Sequence, residues 1–113
     1  MITIEKLKEF GADTDEGIGR CVGSEQLYLQ LMPMVINEPN FEALSKAVEE
    51  GDLTKAFEAA HALKGVLGNL SLTPLYEMTS EITELLRHQS EADYAQLVSA
   101  LLEKKAEFES LFE

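Results

Sequence analysis

The chain has a single cysteine, Cys21, among its 113 residues. No internal disulfide can form, and a reducing compartment with Cys21 as a small buried or half-buried residue is the simple expectation. Basic residues are also scarce. Nine Lys and Arg face 21 Asp and Glu, for a net charge of −12. Nucleic acid and anionic membrane surfaces both require a basic footprint, so neither is expected as a partner. The acidity reads as solvated helix faces kept soluble by like charge. There is no long hydrophobic run, and Met1 to Phe10 alternates charged with apolar groups. Neither a signal peptide nor a membrane span is expected, which places the protein in the cytoplasm. Strand patterns, internal repeats and low-complexity segments are missing as well.

What remains is helical punctuation over a length suited to one domain (1–113), enough to bury roughly two-thirds of the unfolded surface. A short helix from about Ile4 to Glu9 ends at Gly11. Asp13 and Thr14 cap a second short piece that Gly17 and Gly19 weaken. Ser24 opens a segment from Glu25 to about Ile36, apolar around most of its circumference, which Pro33 should kink or split. Pro39 suits a first helical position; Phe41, Leu44, Ala47 and Val48 form one stripe, and Gly51 closes that helix. Asp52 caps a helix running to about Asn69. Thr73 reads as the next N-cap, with Pro74 following. Leu75, Met78, Ile82, Leu85 and Leu86 should then face the core, with Glu77, Glu81, Glu84 and His88 in water. Ser90-Glu91-Ala92-Asp93 reads as a capping box. The last helix carries Tyr94, Leu97, Val98, Leu101, Phe108 and Phe112 on one stripe. Short connections favour an all-α, antiparallel up-down four-helix bundle over residues 39–112, with short additional N-terminal helices over 1–37.

The Asp52 helix holds the one constellation with chemistry. At about 100° per residue, Ala56, Ala59, Leu63, Val66, Leu67 and Leu70 point away from His61. On the side of the imidazole lie Lys64, Gly65 and Gly68, three, four and seven residues on. Side chains three and four apart are neighbours on a helix, so the ring has a cation on one flank and bare backbone on the other. A helix-interior glycine costs roughly 1 kcal/mol relative to alanine, and two within a turn imply that something large approaches. An imidazole with the ordinary pKa of about 6.5 is mostly neutral at physiological pH and is a good nucleophile. Were it to accept a phosphoryl group, Lys64 could neutralise the oxygens as a flexible point charge. Gly65 would give access, and Gly68 would extend the bare strip. Phe57, one turn before on the same side, suits docking of a partner.

His61-Ala62-Leu63-Lys64-Gly65, with Ala60 before and Gly68-Asn69-Leu70 after, resembles the signature of histidine phosphotransfer (Hpt) domains of bacterial two-component phosphorelays. The stretch from Asp52 to about Leu86 follows that family's two-helix arrangement. The resemblance implies a bundle with an exposed active histidine that shuttles a phosphoryl group between receiver-domain aspartates. By it, His61 is the phosphorylated residue, Lys64 steadies the phosphoryl group and Gly65 gives access. It implies a phosphocarrier without an ATP site and with no cofactor of its own, Mg²⁺ belonging to the receiver. The implied partners are a response-regulator receiver domain or a hybrid sensor kinase, and a monomer suffices. The chain departs from the family pattern at Ser71, where many members carry glycine, and at Pro33, which alters part of the docking surface.

Two other readings compete. A binding module could dock receivers without transfer, although the presence of both His61 and Lys64 argues for chemistry. Glu58-Ala59-Ala60-His61 has the Glu-x-x-His spacing of carboxylate-bridged di-metal bundles. Such sites need a second copy and inward-facing ligands, but Leu85 stands three residues before His88, and both Glu58 and His61 fall on the outward face.

Overall fold

In the computed structural model, which describes residues 1–113, the chain forms eight helices and no strand. Four are short: α1 (Ile4–Phe10), α2 (Thr14–Arg20), α3 (Glu25–Leu31) and α4 (Pro33–Ile36). Four are longer: α5 (Pro39–Glu49), α6 (Leu53–Asn69), α7 (Thr73–Arg87) and α8 (Tyr94–Ser110). α5 packs on α6, α6 on α7, α7 on α8, and α8 back on α5, which closes a four-membered ring. Only Glu50–Asp52 and Leu70–Leu72 link the first three of these helices, too little chain for anything but antiparallel neighbours.

Most helix starts follow from side chains that satisfy the free N–H groups of the first turn. Thr3, Asp13, Ser24, Asp52 and Asp93 each accept a hydrogen bond from the backbone N–H three residues on, at 3.0–3.1 Å. Such a cap is worth about 1 kcal/mol. Two starts differ from the sequence expectation. Thr73 is the first residue of α7, not its cap; Leu72 holds the cap position with no side-chain bond. The capping box at Ser90 does not form either. Gln89 turns the chain with φ +53°, the Ser90 N–H donates to Leu85 O to finish α7, and Asp93 caps α8 itself. Pro33 splits its segment as expected, since α3 ends at Leu31 and α4 begins on the proline.

The inner side of α6 is built from small residues. Ala56, Ala59 and Ala60 are buried together with Leu63, Leu67 and Leu70, so α6 seats closely between α5 and α7. Val66, expected with them, is only half-buried. On α7 the buried positions are Leu75, Thr79, Ile82, Thr83 and Leu86, while Met78 and Leu85 lie at the margin. Thr83 conceals its hydroxyl by donating to Thr79 O at 2.7 Å within its own helix.

Tyr28 ties the N-terminal helices to this ring. Its side chain is fully buried, and its hydroxyl donates to Leu70 O at 2.7 Å, just past the end of α6. Burial pushes its ionisation up to about 12, with the charges of Cys21 and Asp13 adding to the effect. The ring lies against Gly17, where an added Cβ would fall 2.3 Å from a ring carbon. Gly17 is therefore not merely a weak helix former but the clearance Tyr28 requires. Gly17→Ala is expected to destabilise the fold by about 1–3 kcal/mol, read as a lower urea midpoint. An unchanged midpoint would mean that the tyrosine is not held there.

Candidate functional site

His61 stands midway along α6 with its side chain exposed, on the helix face opposite the alanine and leucine row. Its ring stacks on Phe57, one turn earlier, with centroids 5.7 Å apart and planes inclined by 17°. Phe57 is half-buried, and the Arg87 guanidinium of α7 lies 5.1 Å from its ring centroid. The Arg87 Nε in turn donates to Glu84 Oε2 at 2.9 Å. That bond holds the Glu84 carboxyl below its usual range, and the charges of Arg87, Lys64 and His88 pull in the same direction. The imidazole is thus braced on one side by an aromatic ring that a cation from the next helix covers.

Lys64 is half-buried one turn beyond His61 and carries no ion pair within 4.0 Å. Its ammonium group is uncommitted. At Gly65 an added Cβ would meet nothing within 4 Å, so nothing inside the chain requires glycine there. Gly68 is different. A Cβ at that position would approach the Tyr76 ring of α7 to 3.0 Å. The expected bare strip therefore stops at Gly65, and the space over Gly68 is taken by a tyrosine.

His61, Lys64, Gly65 and Gly68 together form one wall of a recess of about 460 Å³. Ser71, Thr73 and Tyr76 form its far side, and Glu16 and Arg20 of α2 close it from the N-terminal helices. Glu16 and Arg20 are not visible as site residues in the sequence, because charged residues more than 40 positions from the histidine in the chain carry no periodicity that links them to it. Ser71 explains itself here. Its φ is +53°, in the left-handed region where glycine is at ease, yet it is a buried serine. Its hydroxyl donates to Glu16 Oε1 at 2.8 Å, and its carbonyl accepts the Asp13 N–H at 2.9 Å. The departure from glycine fastens α2 to the α6–α7 turn.

No three of the chain's His, Cys, Asp and Glu side chains converge as a metal cage, and Glu58 and His61 both point outward. An exposed histidine thus stands beside an unpaired lysine, with open space at Gly65, on the outer face of a closed helical ring. The family model for the Hpt domain matches residues 26–111. The chain belongs to the Hpt domain family. The match spans α3 to α8 and leaves α1 and α2 outside. No curated protein and no solved structure matches the chain. Hpt domains carry out histidine phosphotransfer in phosphorelays, as carriers between receiver domains and kinases and not as enzymes with a catalytic site of their own. No helix of this Hpt domain is long and apolar enough to cross a membrane.

Proposed function

We propose that this Hpt domain is a cytoplasmic phosphorelay intermediate in which His61 accepts a phosphoryl group from a receiver aspartate or a kinase and passes it to another receiver. The observation that carries the reading is the exposed imidazole beside the unpaired Lys64, with open space at Gly65. The lone pair of the unprotonated ring nitrogen attacks phosphorus. An N–P bond forms as the P–O bond to the aspartyl carboxylate breaks, and the electron pair returns to that carboxylate. The other ring nitrogen keeps its proton, so positive charge develops beside the phosphoryl oxygens. The reverse sequence delivers the group to the next aspartate. Phe57 fixes the plane of the ring and adds an apolar surface beside it for the partner, Gly65 lets the partner's loop approach, and Gly68, under the Tyr76 ring, lines the recess. The carrier needs no cofactor; Mg²⁺ belongs to the receiver. A single copy suffices.

The test is incubation with a phosphorylated receiver domain. Acid-labile, base-stable label should appear on this chain. Receiver binding with no transfer of label would instead identify an inert docking module. Lys64 supplies a second, graded check. Its ammonium group is partly solvated, and exposed charge pairs contribute about 0–1 kcal/mol, or up to about fivefold in rate. Lys64→Ala should slow single-turnover transfer on that scale with the fold intact, and an unchanged rate would remove Lys64 from the mechanism.

A further inference from the structure

We propose that Arg20, on a helix outside the segment matched by the family model, is a second cation for the phosphoryl group on His61, with Glu16 as its resting partner. The inference rests on the phosphocarrier reading above. Arg20 lines the same recess as His61 and Lys64. Its Nη2 lies 3.4 Å from Glu16 Oε1, and the two side chains are 51% and 53% exposed. A pair that long and that wet contributes little and is cheaply exchanged. The Glu16 oxygen is pinned independently. The same Oε1 accepts the Ser71 hydroxyl at 2.8 Å, and the Ser71 carbonyl holds α2 through Asp13. Ser71 retains a strained backbone where glycine would be relaxed, and its hydroxyl bond to Glu16 gives that strain a use. Ser71 therefore fixes where Glu16 holds the guanidinium at rest, and the guanidinium is the group that meets the ligand.

A phosphoryl group on His61 brings a charge of about −1.5 to −2 into this recess. It can displace the single carboxylate from the guanidinium, whose planar fork suits phosphoryl oxygens. Glu16, still held by Ser71 but without its guanidinium, lies beside the new dianion and opposes it. The two residues of α2 thus bear on the phosphorylated state with opposite signs. Arg20 stabilises that state, and Glu16 disfavours it by competing for the cation and by like charge. The position of the transfer equilibrium is set in part by a helix that is not in the bundle.

The experiment uses the full chain and a small donor, so that partner docking does not enter. Native protein and the Arg20→Gln, Arg20→Lys and Glu16→Gln variants are phosphorylated with phosphoramidate. The P–N bond to ammonia breaks, the P–N bond to imidazole forms, and ammonia leaves. Phosphorus NMR then reports the extent of phosphorylation at a fixed donor-to-ammonia ratio and the second ionisation of the attached phosphoryl group. Arg20→Gln should lower the equilibrium constant about fivefold and raise the phosphoryl ionisation by roughly half a pH unit. Arg20→Lys should stay near native, and Glu16→Gln should move both readings the other way. Native-like values for Arg20→Gln, with His61 labelled in the native chain, would overturn the inference and leave the phosphocarrier reading standing. A fall of similar size in both Arg20→Gln and Glu16→Gln, with lower thermal midpoints, would assign the pair to docking α2 and also overturn it. Failure of the native chain to label at His61 would remove the phosphocarrier reading itself.

Discussion

His61→Gln should reduce the acid-labile, base-stable label accepted from a phosphorylated receiver to background, while the helical content and thermal midpoint stay near native. The loss is total because glutamine has no ring lone pair with which to form the N–P bond. The fold is spared because the imidazole buries nothing. It stands in solvent and touches the protein chiefly through the Phe57 ring, and glutamine is at least as good a helix former as histidine. Undiminished labelling of this variant would place the acceptor elsewhere and end the assignment.

Gly65→Gln should separate docking from folding. Glycine inside a helix costs up to about 1 kcal/mol relative to better formers, and the space around Gly65 is empty. The variant should therefore unfold a few degrees higher than the native chain, since about 1 kcal/mol moves the midpoint by roughly 4 °C in a chain of this size. Transfer from a receiver should nevertheless fall by about a hundredfold, the scale associated with displacing reacting atoms by about an ångström. Phosphoramidate is small enough to pass the new side chain and should still label His61. Receiver transfer at native rates would show that nothing large needs the cleared flank. The contrast with Gly17 is informative. There an added methyl group meets the Tyr28 ring and harms the fold, so two glycines of similar appearance in the sequence should respond with opposite signs.

The sequence disclosed α6 and the face it presents because burial on this helix obeys one period. Small and aliphatic residues recur inward, and the histidine, lysine and first glycine fall outward. The helix starts at Asp13, Ser24, Pro39 and Asp52 were legible, whereas Leu72 and Asp93 hold the cap positions expected of Thr73 and Ser90. Two kinds of feature were not legible. Thr79 and Thr83 are fully buried on α7 although threonine counts as polar in any pattern. Thr83 is admitted because it spends its donor within its own helix, a local bond invisible to periodicity. The other kind is contact between distant segments. The packing of Tyr28 on Gly17, the seating of Tyr76 over Gly68, and the arrival of Arg20 and Glu16 beside His61 all depend on how helices pack after they form. Ser71 belongs with them. As a departure from a family glycine it is only small and tolerable, and its positive φ and its hold on Glu16 become visible once α2 is in place.

The alanines beneath α6 bear on how an encounter with a partner proceeds. An alanine has no rotamers to freeze, and the three of them leave the helix no slack between its neighbours, so the platform under the imidazole arrives already ordered. The entropic burden of bringing phosphorus into line falls on the incoming protein's loops. Differences in speed among partners should then track the stiffness of those loops, with this chain serving each of them as the same fixed anvil.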